Sequence, residues 1–137
     1  MSYTIEFESP LQRITGERRS KLLKVGSPLY DVIMSLRRFL ATQTFVLKPS
    51  RPPHIELLNA SEDSEELLCK RIEELQKTVI ISKQLAWLHA ALVLRLPPIN
   101  GYFAPHITIE CFERPTADEK RRVLDSVLEW WGVNEVL

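Results

Sequence analysis

Two periods of hydrophobic spacing divide the chain. Tyr3, Ile5 and Phe7 alternate with Thr4 and Glu6, which predicts a strand over residues 2–8 with those three side chains on one face, ended by Pro10. Arg13 to Lys24, basic around Gly16, predicts a loop or hairpin. After Ser27-Pro28 the period changes: Leu29, Val32, Ile33, Leu36 and Leu40 fall at helical spacing as far as about Thr42. Ser27 is the expected cap, and Pro28 takes the first helical position, where its missing N–H costs nothing. Phe45-Val46-Leu47 predicts a short strand. Pro49, Pro52 and Pro53 then hold the backbone extended into another strand, His54 to Leu58. A second helix is predicted from Ser61 or Ser64, with acids in its first turns and Leu68, Ile72 and Leu75 as its buried stripe.

Val79-Ile80-Ile81 and the run from Trp87 to Leu96 predict two further strands joined through Lys83-Gln84. The second run is apolar on both faces, as in a central strand covered on both sides. His89 lies in phase with Trp87, Ala91, Val93 and Arg95, which makes it a hydrogen-bonded core residue rather than a catalyst. Residues 97–101 are a loop. The stretch Tyr102-Phe103-Ala104-Pro105-His106-Ile107-Thr108-Ile109 follows as a strand, with His106 and Thr108 on one face and Ile107 and Ile109 on the other. Glu113-Arg114-Pro115 turns, and Thr116 with Glu119 fits a capping box. Val123, Leu124, Val127, Leu128 and Trp131 form the stripe of a third helix that Gly132 is expected to stop. Helices interleaved with strands place the chain in the α+β class, with one domain over residues 1–137.

Composition adds mainly exclusions. Eighteen basic and eighteen acidic side chains cancel, so no global charge draws the protein to nucleic acid or a membrane. A local patch for a nucleotide or RNA end stays open, and the basic Arg13–Lys24 segment is either solvated surface or a rim for such an anion. Cys69 and Cys111 are too few for a disulfide framework and fit reduced, buried thiols. No apolar run reaches the roughly 20 residues of a membrane span, and the N-terminus lacks a signal-peptide pattern, so no membrane partner and a cytoplasmic or nuclear location are expected. The three histidines are scattered, and metal-binding spacings are missing.

The chemistry rests on an internal echo. Pro53-His54-Ile55-Glu56-Leu57 and Pro105-His106-Ile107-Thr108-Ile109 share an order, and each precedes a polar connection opened by Ser or Thr and an amphipathic helix. Two such units about a pseudo-twofold would set their strands side by side, with His54 and His106 facing across a cleft. The Tyr102–Ile109 stretch, followed by Thr116-Ala117-Asp118-Glu119-Lys120 and a helix, resembles the second His-x-Thr/Ser motif of the 2H phosphoesterases, the superfamily of LigT-like RNA ligases and cyclic nucleotide phosphodiesterases. The likeness covers roughly Tyr102 to Trp131 and is weaker over Pro53 to Leu75. It implies two strand–helix lobes around an antiparallel sheet, built as duplicated ferredoxin-like units, and no cofactor. It further implies metal-independent cleavage of a 2′,3′-cyclic phosphate or 2′–5′ phosphodiester, with a nucleotide or RNA end as substrate. His54 and His106 would be the acid and base, both forms of imidazole being accessible near pH 6.5. Thr108 would bind a phosphoryl oxygen, while Tyr102 and Phe103 could stack on a base.

Glu56 departs from that pattern, standing where the family has Thr or Ser. Alternation points it into the proposed cleft beside His54, where a carboxylate repels an anion at about 4 Å by roughly 1 kcal/mol in water and about 4 kcal/mol at an effective dielectric of 20. It could instead orient an imidazole. Glu56 therefore also supports a non-catalytic module of the same fold that binds a protein or RNA partner, and Trp130 beside Trp131 offers an interface for one. A tautomerase-like reading of Pro105-His106-Ile107-Thr108-Ile109 is excluded, because Pro105 is internal and has no basic amine.

Overall fold

A computed structural model describes residues 2–8, 12–15, 18–57, 66, 67, 70, 78–96 and 105–135. Its strands are β1 (Ser2–Thr4), β2 (Gln12–Thr15), β3 (Arg18–Leu22), β4 (His54–Leu57), β5 (Thr78–Ile80), β6 (Leu85–Leu88), β7 (Ala91–Arg95) and β8 (His106–Cys111). Two long helices, α1 (Pro28–Ala41) and α3 (Ala117–Glu135), accompany a single helical turn, α2 (Ile81–Gln84). Six strands form one antiparallel sheet in the order β2-β3-β4-β8-β7-β6, and β1 pairs separately with β5. The class is α+β.

Strand alternation gives the sheet one apolar face and one chemical face. Ile55 on β4 lies opposite Ile107 on β8, which lies opposite Leu94 on β7. All three are fully buried and join Leu29, Ile33, Leu36 and Leu40 of α1 and Val123, Val127 and Trp131 of α3 in one core. Each such side chain contributes about 1.5–3 kcal/mol relative to exposure. Their sequence neighbours must then project from the other side of the sheet. Those neighbours are His54, Glu56, His106 and Thr108.

Strand β8 changes partners along its length. Its start pairs with β4, while its end pairs with the segment at 46–48: Lys48 N–H donates to the Cys111 carbonyl at 3.0 Å, and Glu113 N–H to that of Val46 at 2.9 Å. Between the two, the chain leaves the sheet as the Pro49–Pro53 loop. A bulge in β8 accompanies the switch, since Val93 faces Thr108 while Leu92 faces Glu110, leaving Ile109 as the extra residue. Arg37 fills the resulting notch from α1. Its Nε donates to the Ile109 carbonyl at 2.7 Å, Nη1 to that of Arg51 at 2.9 Å and Nη2 to that of Thr108 at 3.4 Å.

Several expected elements are present. The basic N-terminal segment is a hairpin of β2 and β3. α1 begins at Pro28 and buries Leu29, Ile33, Leu36 and Leu40. Thr116 caps α3, accepting from the Glu119 N–H at 3.1 Å and donating to its carboxylate at 3.3 Å.

Other expectations are corrected. Trp87 to Leu96 is not one central strand but the β6–β7 hairpin, which reverses at His89-Ala90. His89 is an exposed turn residue with φ 53, not a core residue, because a two-residue hairpin loop needs backbone in the left-handed region. Gly132 does not stop α3, which runs on to Glu135, and Leu128 is 43% exposed rather than part of the stripe. The Ser27 hydroxyl makes no cap bond and donates instead to the Lys24 carbonyl at 2.6 Å. Phe45-Val46-Leu47 contributes one bridge, Leu47 to Phe112, rather than a strand. Of the second helix, residues 66, 67 and 70 are helical, and its stripe at Leu68, Ile72 and Leu75 lies outside the described residues, as do Pro10, Cys69, residues 97–101, Tyr102 and Phe103. Among the described residues no helix is long and apolar enough to cross a membrane.

Candidate functional site

The site grows from the β4–β8 pairing. Glu56 lies directly opposite His106, and one step along the same register sets His54 beside Thr108. Four polar side chains thus share one patch of one sheet face, the two imidazoles on a diagonal. His54 and His106 are buried, while the Glu56 side chain is 20% exposed.

Glu56 joins the two rings. Its Oε1 lies 3.3 Å from His54 Nε2, and its Oε2 lies 3.3 Å from His106 Nε2. Each Nε2 therefore meets a different oxygen of one carboxylate, and a single anionic group spans the gap between them. Hydrogen bonds from His106 and then His54, helped by their charge and opposed by burial, hold the Glu56 carboxyl far below the usual carboxylate range.

The remaining ring nitrogen of His54 is also fixed. Nδ1 donates to the Pro52 carbonyl at 2.7 Å, so the proton sits on Nδ1 and Nε2 is the nitrogen presented to the gap. A neutral ring has one N–H, so His54 bonds both Pro52 and the carboxylate only as the imidazolium. The consecutive prolines put that carbonyl in place, since they hold the loop extended as it rejoins the sheet.

A cavity of about 210 Å³ opens beside this patch. His54, Glu56 and Thr108 line it together with the Pro49–Arg51 loop, Arg37 and Cys111. Arg37 brings a cation close, although burial lowers its pKa from the free value and the neighbouring Glu110 charge partly restores it. Glu110, itself buried, accepts from the Ser50 hydroxyl and from the Cys111 N–H at 3.1 Å, which ties the loop to β8. Burial raises the Cys111 thiol, so it is a poor nucleophile at neutral pH. Among the described residues, no three His, Cys, Asp or Glu side chains gather to hold a metal ion.

The sequence reading missed three neighbours of the site. The row that crosses the sheet through Glu56 and His106 continues to Ser20 on β3 and to Arg95 on β7. Arg95 is exposed, whereas Ser20 is 0% exposed and its hydroxyl has no hydrogen-bond partner among the described residues. Arg37 carried a signal: it lies four positions after Ile33, at the edge of the apolar stripe, where a charge needs a reason. Trp131 is buried and Trp130 stacks on Phe39 at 6.0 Å, so most of both indoles is committed to internal packing.

What the fold and site define together is a sheet-borne His–Glu–His cluster, its two imidazoles buried, in an α+β protein. The chain matches no protein-family model, no curated protein and no solved structure.

Proposed function

We propose that this protein is a phosphodiesterase of the 2H type, acting on a 2′,3′-cyclic phosphate or a 2′–5′ phosphodiester of a nucleotide or RNA end. One observation carries the reading: both Nε2 atoms converge on the oxygens of one anion, each at 3.3 Å. A phosphoryl group, another anion with oxygens spread about a centre, can be flanked by the same two rings once Glu56 withdraws.

In the proposed hydrolysis the neutral imidazole takes a proton from water as the water oxygen bonds to phosphorus. The P–O bond to the leaving ribose oxygen breaks, and the imidazolium gives that oxygen its proton. One water is consumed, and the rings have exchanged protonation states. His54 suits either role, because Pro52 fixes Nδ1 and leaves Nε2 to react. Thr108 donates to a phosphoryl oxygen, while Arg37 and Arg51 make the cavity favourable for an anion. Tyr102 and Phe103, just before β8, are the proposed stacking residues for the base.

The test is turnover of 2′,3′-cyclic nucleotides and 2′–5′ oligoadenylate in EDTA. His106→Ala and His54→Ala should each lose on the order of 10²- to 10⁴-fold. Activity that survives His106→Ala removes the reading. A second reading, a non-catalytic module that binds a protein or RNA partner, is favoured by the carboxylate already seated between the rings. Absence of turnover in both the wild type and Glu56→Thr would select it.

A further inference from the structure

We propose that the gap between His54 and His106 is a subsite for a phosphate-ester anion, that the Glu56 carboxylate fills it in the free protein, and that Ser20 receives this carboxylate when the anion enters. The class of ligand rests on the phosphodiesterase reading; the exchange of partners rests on the geometry of the sheet.

Two anions cannot share the gap. Glu56 touches both rings at 3.3 Å, so an entering phosphate must displace it. The side chain is free enough to turn, being 20% exposed at the edge of the cavity. It nevertheless needs somewhere to go, because a carboxylate moved off two hydrogen-bond donors without replacement is costly.

Ser20 supplies the replacement. It lies directly opposite Glu56 in the β3–β4 register, and residues so paired project from the same face of a sheet. Their Cβ atoms stand about 4.5–5.5 Å apart, well within the reach of a glutamate side chain. The Ser20 hydroxyl is fully buried and has no hydrogen-bond partner among the described residues. Buried hydroxyls are nearly always bonded, so an orphan beside a displaceable carboxylate has a natural purpose. In the free protein Glu56 serves the histidines and Ser20 is unsatisfied. With an anion bound, the phosphoryl oxygens serve the histidines and Ser20 donates to Glu56. Ser20 is thus a positioning residue that acts through Glu56, and touches neither ligand nor ring.

The experiment is calorimetric titration with inorganic phosphate, in EDTA near pH 6.5, of the wild type, Ser20→Ala, Ser20→Thr, Glu56→Thr and the Ser20→Ala/Glu56→Thr double variant. Ser20→Ala should weaken phosphate binding about tenfold, the scale of a lost hydrogen bond to a charged group, and Ser20→Thr should restore it. Glu56→Thr should bind at least tenfold more tightly than the wild type, and adding Ser20→Ala to it should change affinity less than twofold. Equal weakening by Ser20→Ala in both backgrounds overturns the inference, as does wild-type affinity in Ser20→Ala or no phosphate binding even by Glu56→Thr. A measurement on the unaltered chain guards against a misfolded variant: the Glu56 carboxyl carbon resonance should move on phosphate addition, and a stationary resonance overturns the exchange. Coupled phosphate binding without cyclic-nucleotide turnover by the wild type or Glu56→Thr would sink the catalytic reading alone. Turnover without the coupling would sink the exchange alone.

Discussion

Arg37 offers the sharpest test of how the site is built. Replacing it with alanine removes the guanidinium that serves three backbone carbonyls, those of Ile109 at 2.7 Å, Arg51 at 2.9 Å and Thr108 at 3.4 Å. The two short bonds come from a charged donor, but solvent reaches part of the group, so about 1–1.5 kcal/mol each is reasonable. The long bond adds a few tenths at most. A loss of roughly 2–3 kcal/mol results, which for a chain of this length lowers Tm by about 10 °C. Arg37→Lys should recover less than half of it, because an ammonium is a point donor and cannot fork across carbonyls from two segments. Urea unfolding followed by tryptophan fluorescence measures both variants. If Arg37→Ala stays within about 0.5 kcal/mol of the wild type, or Arg37→Lys matches it, the notch is not held by this side chain and the reasoning fails.

Three further outcomes are expected. Because the Glu56 carboxyl titrates well below an unfolded carboxylate, its stabilising contribution is complete above the ordinary carboxylate range and is lost progressively as pH falls through that range and on down to the depressed folded-state value. The difference between the urea midpoints of the wild type and Glu56→Gln should therefore be full at about pH 5–6 and shrink steadily as pH falls below about 4. Thr116→Ala, which removes the acceptor for the Glu119 N–H at 3.1 Å, should cost about 1 kcal/mol in the same assay. His89→Gly should raise stability by roughly 0.5 kcal/mol, since glycine adopts the φ of 53 without strain, while His89→Val should lower it by about 1 kcal/mol.

The chemical face was legible because it needs only a period of two. His54 with Glu56, and His106 with Thr108, alternate with isoleucines, and the sheet placed all four on one side. The contact of Glu56 with both rings depended on which strands pair and in what register, which no local pattern encodes. The bulge at Ile109 was equally silent, being the answer to a change of partner far along the chain. His89 was misread for a different reason: a hairpin loop without Gly or Asn leaves an apolar run looking unbroken. Gly132 was misread because a helix interior tolerates glycine at about 1 kcal/mol, and the packing of Trp131 beside it outweighs that. Ser20 stayed hidden because a serine in a basic hairpin looks like any surface residue until its neighbour across the strand is known.

The Pro49–Pro53 excursion is fastened at both ends to different strands, by Lys48 N–H to the Cys111 carbonyl at 3.0 Å and by Leu23 N–H to the Pro53 carbonyl at 3.0 Å. Its length is thereby uncoupled from strand pairing, and doubling a loop adds only about 0.6 kcal/mol of closure entropy. Ligand preference can then evolve by rewriting the Pro49–Arg51 part of this wall, by insertion or deletion, while the Pro52 carbonyl keeps its hold on His54 and the histidines keep their places.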